Sequence, residues 1–273
     1  MKTFKYYIFK LLNFLKRFFY FFTLLGKKFL AGINWLVSSN EHTAFTVYLN
    51  EQDKKDLVRE LACFLDIETS NVLEKINFAS NLKLDEILNI SKTTKYVDID
   101  LKPKFDYRLI PFIIFFEKEI SNLYEFGFNQ GRIPFLIHQY MKSSNINNLN
   151  NNYIGIDINS RKGAFCNYIN ANEFKFIYDD VSNFLKSNSE ETKFNESCIV
   201  ATTHEQNSEK AIFDFLFKNK ITPKFIISDN VDSNSHFINF LNSYEKYYKT
   251  KVFKFSDSKR FLEDSYIALA VRI

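Results

Sequence analysis

Apolar positions recur along this chain with two periods, and the changes of period mark its elements. Residues 51–65 carry Leu57, Val58, Leu61, Phe64 and Leu65 at helical spacing. Thr69-Ser70-Asn71 opens a second helical segment with Val72, Leu73 and Ile76, and residues 82–90 suit a third. Residues 96–102 alternate apolar and polar, as in a short strand or an extended linker. A helix over 106–121 follows, with an apolar run from Leu109 to Phe116 interrupted by Pro111. Strands are expected at 123–126, 153–158, 174–178, 198–202, 222–229, 252–255 and 266–272. Helices are expected between them at 132–141, 161–169, 181–186, 208–219 and 236–248. Residues 187–196 are polar and read as a loop. No helix-length segment separates the last two strands, so they form an antiparallel pair. In the last strand Ile267, Leu269 and Val271 alternate with Ala268, Ala270 and Arg272. Strands alternating with helices imply an α/β sheet covered on both faces.

Residues 1–37 follow a different pattern. They hold seven Lys or Arg and no acid. At 100° per residue, Lys2, Lys5, Lys10, Lys16, Arg17, Lys27 and Lys28 share a sector of about 140°. Phe, Tyr, Leu and Ile fill the rest of the wheel, with Trp35 near its end. A basic amphipathic helix of this kind lies in a membrane interface, its amines toward anionic head groups. Spanning would need about 20 mostly uncharged residues, and the longest charge-free runs are 18–26 and 29–40. Lys10, Lys16 and Arg17 also cut the uninterrupted apolar core of a secretory signal. A helix that packs on a protein partner remains the rival reading.

This tail changes what the charge means. The whole chain carries +4 and residues 1–37 contribute +7, which leaves −3 for residues 38–273. The basic balance therefore belongs to the tail, and a nucleic-acid partner is not favoured for the folded part. Cys63, Cys166 and Cys198 have no CxxC spacing, so they read as buried thiols in a reducing compartment, without disulfide or zinc, and no metal is expected. An apolar fraction of 46% is enough for a sizeable core. The chain divides into 1–40, a membrane-surface helix; 41–105, a helical lead-in; and 106–273, the α/β domain.

The chemistry gathers at residues 123–159. The first strand ends in Glu125-Phe-Gly127-Phe-Asn129-Gln-Gly131 and turns straight into a helix; the second ends in Asp157 and Ile158. Glycine lets backbone approach a ligand, a helix N-terminus offers N–H groups, and an acid accepts from ribose hydroxyls. Glu125 and Asp157 are 32 residues apart, and the excess over the dinucleotide fingerprint falls at 143–152, where six of ten residues are Asn. The NAD pattern fails, because it needs glycines where Asn129 and Arg132 stand. No Walker-type Gly-Lys-Ser/Thr is present.

This stretch resembles motif I and the following acid of the class I S-adenosylmethionine-dependent methyltransferases. Their Glu/Asp-x-Gly-x-Gly-x-Gly appears here with Asn129 in the middle place. The resemblance implies an α/β fold, Rossmann-like: a seven-stranded, mostly parallel sheet with helices on both faces, behind a helical N-terminal extension. It implies S-adenosyl-L-methionine as cofactor. Glu125 would order the loop and help hold the methionine amino group, Gly127, Asn129 and Gly131 would admit the cofactor, and Asp157 with Ile158 would take the ribose side. Asp179 and Asp180 at the third strand tip match the acid that bonds the adenine amino group; the plain alternative is a solvated turn or a helix cap.

A second place for chemistry is the end of the fourth strand, Thr203-His204-Glu205-Gln206. Ligands in open α/β sheets bind beyond the carboxyl ends of strands. His204, with Glu205, would stand beside the methyl donor and could take a proton from an acceptor hydroxyl. The alternative is a histidine that caps the next helix or lines a pocket. The Asp/Asn-Pro-Pro-aromatic signature of base-amine methylation is absent. The expected function is methyl transfer to a small-molecule, glycan or lipid-linked acceptor, by a cytoplasmic protein peripheral at the inner face of a membrane. The other reading is a membrane-tethered protein that keeps the fold and only binds a nucleoside or a partner.

Overall fold

The computed structural model describes residues 51–81, 108–128, 131–146, 151–158, 169, 173–187, 191–203, 206–229, 231, 235–255 and 265–273. All of them fall in one compact unit, Thr43–Ile273. The tail helix over 1–37, the segments at 82–90 and 96–102, the helix at 161–169 apart from Ile169, Asn129, Cys166, His204 and Glu205 lie outside the described residues.

Two helices lead in, α1 (Glu51–Leu65) and α2 (Thr69–Asn81), and α3 (Leu109–Glu117) precedes the sheet. Pro111 is tolerated in the first turn of α3, where N–H groups have no intrahelical partner. Then come β1 (Asn122–Phe126), α4 (Arg132–Ser143), β2 (Asn152–Ile156), β3 (Phe174–Ile177), α5 (Val181–Ser187) and α6 (Glu191–Asn195). The chain closes with β4 (Cys198–Ala201), α7 (Gln206–Lys218), β5 (Phe225–Ser228), α8 (His236–Ser243), β6 (Tyr248–Phe255) and β7 (Ser265–Arg272).

The seven strands lie in the order β3-β2-β1-β4-β5-β7-β6. Neighbouring pairs from β3 to β5 are parallel, and β7 runs antiparallel between β5 and β6. This is the Rossmann-like, seven-stranded layout expected from the sequence. Residue alternation sorts the two faces. Leu123, Tyr153, Cys198, Ile227 and Leu269 point to one core, which α1, α2, α3 and α4 cover. Tyr124, Phe126, Ile156, Ile199 and Ala270 point to the other, which α5, α7 and α8 cover. Each large side chain so buried contributes about 2 kcal/mol. Helices thus stand on both faces.

The lead-in helices are tied to the domain by a polar knot as well as by their apolar stripes. Lys75 of α2, 6% exposed in its side chain, meets Glu117 of α3 at 2.6 Å. Asn71 donates to the same Glu117 carboxylate at 2.7 Å. Tyr140 of α4 donates to Glu74, and the Lys75 ammonium lies 5.0 Å from the Tyr140 ring centre. At the N-terminal ends of β4 and β5, Arg272 bonds Thr222 O at 2.7 Å, Asn195 O at 3.1 Å and Glu196 at 2.8 Å.

Four sequence expectations are corrected. Residues 187–196 are not all loop: α6 forms because Phe194 is buried, stacked on Tyr124 at 4.6 Å and against Phe215 at 5.4 Å. The helix expected to run to 248 stops at Ser243, and β6 starts at Tyr248 instead of 252, anchored by the Tyr248 hydroxyl on Pro223 O at 2.8 Å. Helix α3 is shorter than 106–121. Cys63 is exposed, whereas Cys198 is buried as expected.

Candidate functional site at the strand tips

The turn after β1 is built on two left-handed residues, Gly127 at φ 84° and Gly131 at φ 77°. A side chain at either would strain the backbone. Gly127 has a second reason. A Cβ there would stand 3.3 Å from Thr203 Cγ2 and 3.6 Å from Thr202 O, so the turn runs hard against the segment leaving β4. The Gly127 N–H donates to Ile156 O at 2.7 Å, which pins the turn to β2. Gly131 N–H donates to Phe128 O at 2.8 Å, and Gly131 O accepts from Phe135 N–H at 3.1 Å to begin α4. Gly131 has no side chain to cap α4, and Pro134 in the first turn brings no N–H that would need a cap.

Glu125 and Asp157 stand at the tips of adjacent parallel strands. Glu125 is in register with Gly155, and Asp157 follows two residues later. Asp157 N–H donates to Ile177 O at 3.0 Å, so strand pairing holds its backbone up to the tip. Its side chain is half-buried and Ile158 beyond it is 68% exposed. Glu125 is 2% exposed, and the Tyr153 hydroxyl donates to its carboxylate. Burial pushes the Glu125 carboxyl up to about 7; the Tyr153 bond and the Arg108 charge pull it down, and the Asp157 charge adds a smaller upward push.

Asp179 and Asp180 organise the start of α5. The Asp180 carboxylate accepts from Ser182 N–H at 2.8 Å, a helix cap. The Asp179 carboxylate accepts from Asp180 N–H at 2.7 Å and from Asn183 Nδ2 at 3.3 Å. Beyond the apolar Ala201 and Ile227, the ends of β4 and β5 and the helix starts that follow bury polar Thr202, Glu209, Ser228 and Ser235. Glu209 accepts from Phe237 N–H at 3.1 Å and Ser235 from Ile238 N–H at 3.2 Å, so both serve the start of α8.

Sequence reasoning singled out Glu125, Gly127, Gly131 and Asp157, and the structure brings these four to the carboxyl ends of two neighbouring strands, β1 and β2. It missed Tyr153 and Phe128. Tyr153 precedes Gly155 by two and therefore shares its face, next to Glu125; that alternation was the available signal.

No model of a known protein family matches the chain. No curated protein matches it. Solved structures do resemble it. A precorrin-6y C5,15-methyltransferase from Geobacter metallireducens aligns over 66% of this chain and 96% of its own, at 11% identity and TM-score 0.46. An O-methyltransferase from Bacillus cereus, in complex with SAH, aligns over 80% and 97%, at 13% and 0.44. The O-methyltransferase TomG from Streptomyces achromogenes, in complex with SAM, aligns over 84% and 93%, at 7% and 0.42. Order β3-β2-β1-β4-β5-β7-β6 with β7 reversed gives the chain the fold layout of the class I methyltransferases.

Proposed function

We propose that the chain transfers a methyl group from S-adenosyl-L-methionine to a small-molecule, glycan or lipid-linked acceptor at a membrane surface. The observation that carries this reading is the pairing of a doubly left-handed glycine turn on β1 with a half-buried Asp157 at the tip of β2. The residues present fit the cofactor. Gly127 and Gly131 give the turn a left-handed backbone without side chains, and Asp157 offers a carboxylate at the height of the turn. Ile158 supplies exposed apolar surface beside it. When bound, the cofactor supplies an electrophilic methyl on a sulfonium.

The protein's part is orientation. Asp157 would accept from the ribose hydroxyls, and Glu125, held by Tyr153, would fix the turn from inside the sheet. The acceptor would lie over the tips of β4 and β5, where Thr202, Glu209 and Ser228 give polar surroundings. Placing donor and acceptor in line lowers the barrier by removing translational and rotational freedom in advance. His204, with Glu205, would take the acceptor's proton as the new bond forms. The helix over 1–37 would concentrate the enzyme at anionic lipid, where such an acceptor is made.

The alternative is a tethered protein that binds the nucleoside without turnover. Purified full-length protein incubated with S-adenosyl-L-methionine and a cell extract separates the two. The enzyme reading expects release of S-adenosylhomocysteine, lost in His204→Ala; cofactor binding without release supports the alternative.

A further inference from the structure

Phe128 stands in the turn between the two left-handed glycines, yet it is only 2% exposed. Its ring packs 5.6 Å from that of Phe176 on β3 and 5.8 Å from that of Tyr178. It can reach this place because Gly155, in the middle of β2, has no side chain. A Cβ on Gly155 would lie 2.8 Å from Phe128 Cδ1, 3.1 Å from Phe128 Cγ and 3.0 Å from the Tyr153 hydroxyl oxygen. The first of these is closer than real Cβ atoms come, so the ring would have to shift.

Gly155 does not need to be glycine for its backbone, since only Gly127 and Gly131 have positive φ among the described glycines. A strand interior disfavours glycine, and one found there often marks a close approach from above. Here the approaching group is the Phe128 ring. The ring is also a lever on the turn. Phe128 O accepts from Gly131 N–H, and Gly131 leads directly into α4. On the other side of the ring lies Gly127, bonded to Ile156 O. The buried ring thus anchors a residue whose backbone is bonded to Gly131 and whose neighbour Gly127 is bonded to β2.

We propose that Phe128 and Gly155 form a pin and notch that fixes Gly127 and Gly131 at the end of β1, and that both are positioning residues for the nucleoside. The proposal rests on the cofactor reading above and names the parts of this chain that hold its binding turn in shape. Gly155 never meets the ligand; it acts through Phe128, and Phe128 through Gly127 and Gly131. The same seat brings the ring beside the Tyr153 hydroxyl, so it also shields the Tyr153–Glu125 bond.

The test is a double-mutant cycle on the full-length protein, read by isothermal titration with S-adenosyl-L-methionine. Phe128→Ala and Gly155→Ala each raise Kd about tenfold, and the double variant is within about threefold of Phe128→Ala, because the added methyl then has no ring to displace. A wild-type Kd in either single variant, even with a lowered melting temperature, overturns the proposal. So does a double variant whose loss is the product of the two single losses. Hydrogen exchange gives a second reading that needs no cofactor. The Gly131 amide exchanges about tenfold faster in Phe128→Ala than in the wild type if the pin holds the turn; equal rates overturn it. If Gly155→Ala does not fold, Phe128→Ala decides by both readings. If the wild-type protein binds no cofactor at millimolar concentration, the cofactor reading fails, and exchange alone judges the pin.

Discussion

Glu125 is a buried acid that the fold keeps at a cost. Its carboxyl is held up to about 7 by burial, against an ordinary value of 4.5. At pH below the ordinary value, folded and unfolded chains both carry the proton. As pH rises toward 7 the unfolded chain ionises first, so stability is lost across that window and is level above it. The expected size is on the order of 3 kcal/mol. Glu125→Gln keeps an acceptor for the Tyr153 hydroxyl and removes the titration. Urea unfolding at pH 5 and pH 8 is therefore expected to show a smaller loss of stability in this variant than in the wild type; equal losses would show that Glu125 is not the titrating group. Asp180→Ala is expected to cost about 1 kcal/mol, through the lost cap on Ser182 N–H. The same variant is expected to leave the cofactor Kd within about twofold, since a residue committed to a helix start has little to give a ligand. A tenfold weaker Kd would restore the adenine-binding reading of that acid.

The glycines and acids of these tips were readable in the sequence, because each residue type meets a local need: positive φ, close approach, a strand end. For Tyr153 the local sequence showed only the face, through its two-residue spacing to Gly155; its bond to Glu125 depends on the register of a neighbouring strand, and the place of Phe128 depends on a missing side chain on that strand.

At the scale of elements, the polar knot between α2, α3 and α4 holds the lead-in against the domain. Lys75 is nearly buried and faces Glu117 and Glu74. Removing the cation alone leaves Glu117 charged in a poorly solvated place. Lys75→Ala is thus expected to lower unfolding stability by about 3 kcal/mol, and Lys75→Met combined with Glu117→Leu to recover more than half of it. Denaturant midpoints for the two variants check this, and a double variant no better than the single one would show that the knot is not an ion pair in origin. Strongly periodic elements such as α1, α2 and α7 were legible from spacing. The ends of elements were less so. Helix α6 depends on Phe194 finding Tyr124, and β6 begins at Tyr248 because that hydroxyl reaches Pro223 O. Both are tertiary decisions that override local polarity.

At the scale of the whole molecule, the sheet divides the work. The β3-β2-β1 half carries the glycine turn and Asp157, and the β4-β5 half carries the buried polar tips. The turn and the segment leaving β4 touch at Gly127 and Thr203. Among the described residues, no helix is long and apolar enough to cross a membrane. The proposed membrane contact rests on residues 1–37. Full-length protein is expected to sediment with vesicles rich in anionic lipid, and a variant lacking residues 1–37 to stay in the supernatant; equal sedimentation would remove the tail from the account.

The central claim is that the tips of β1 and β2 together hold the cofactor's nucleoside. Isothermal titration of the full-length protein with S-adenosyl-L-methionine tests it most directly. The account predicts a micromolar Kd, with Asp157→Ala, still folded, at least about a hundredfold weaker. No binding at millimolar ligand, or an Asp157→Ala variant that binds as the wild type does, would contradict it.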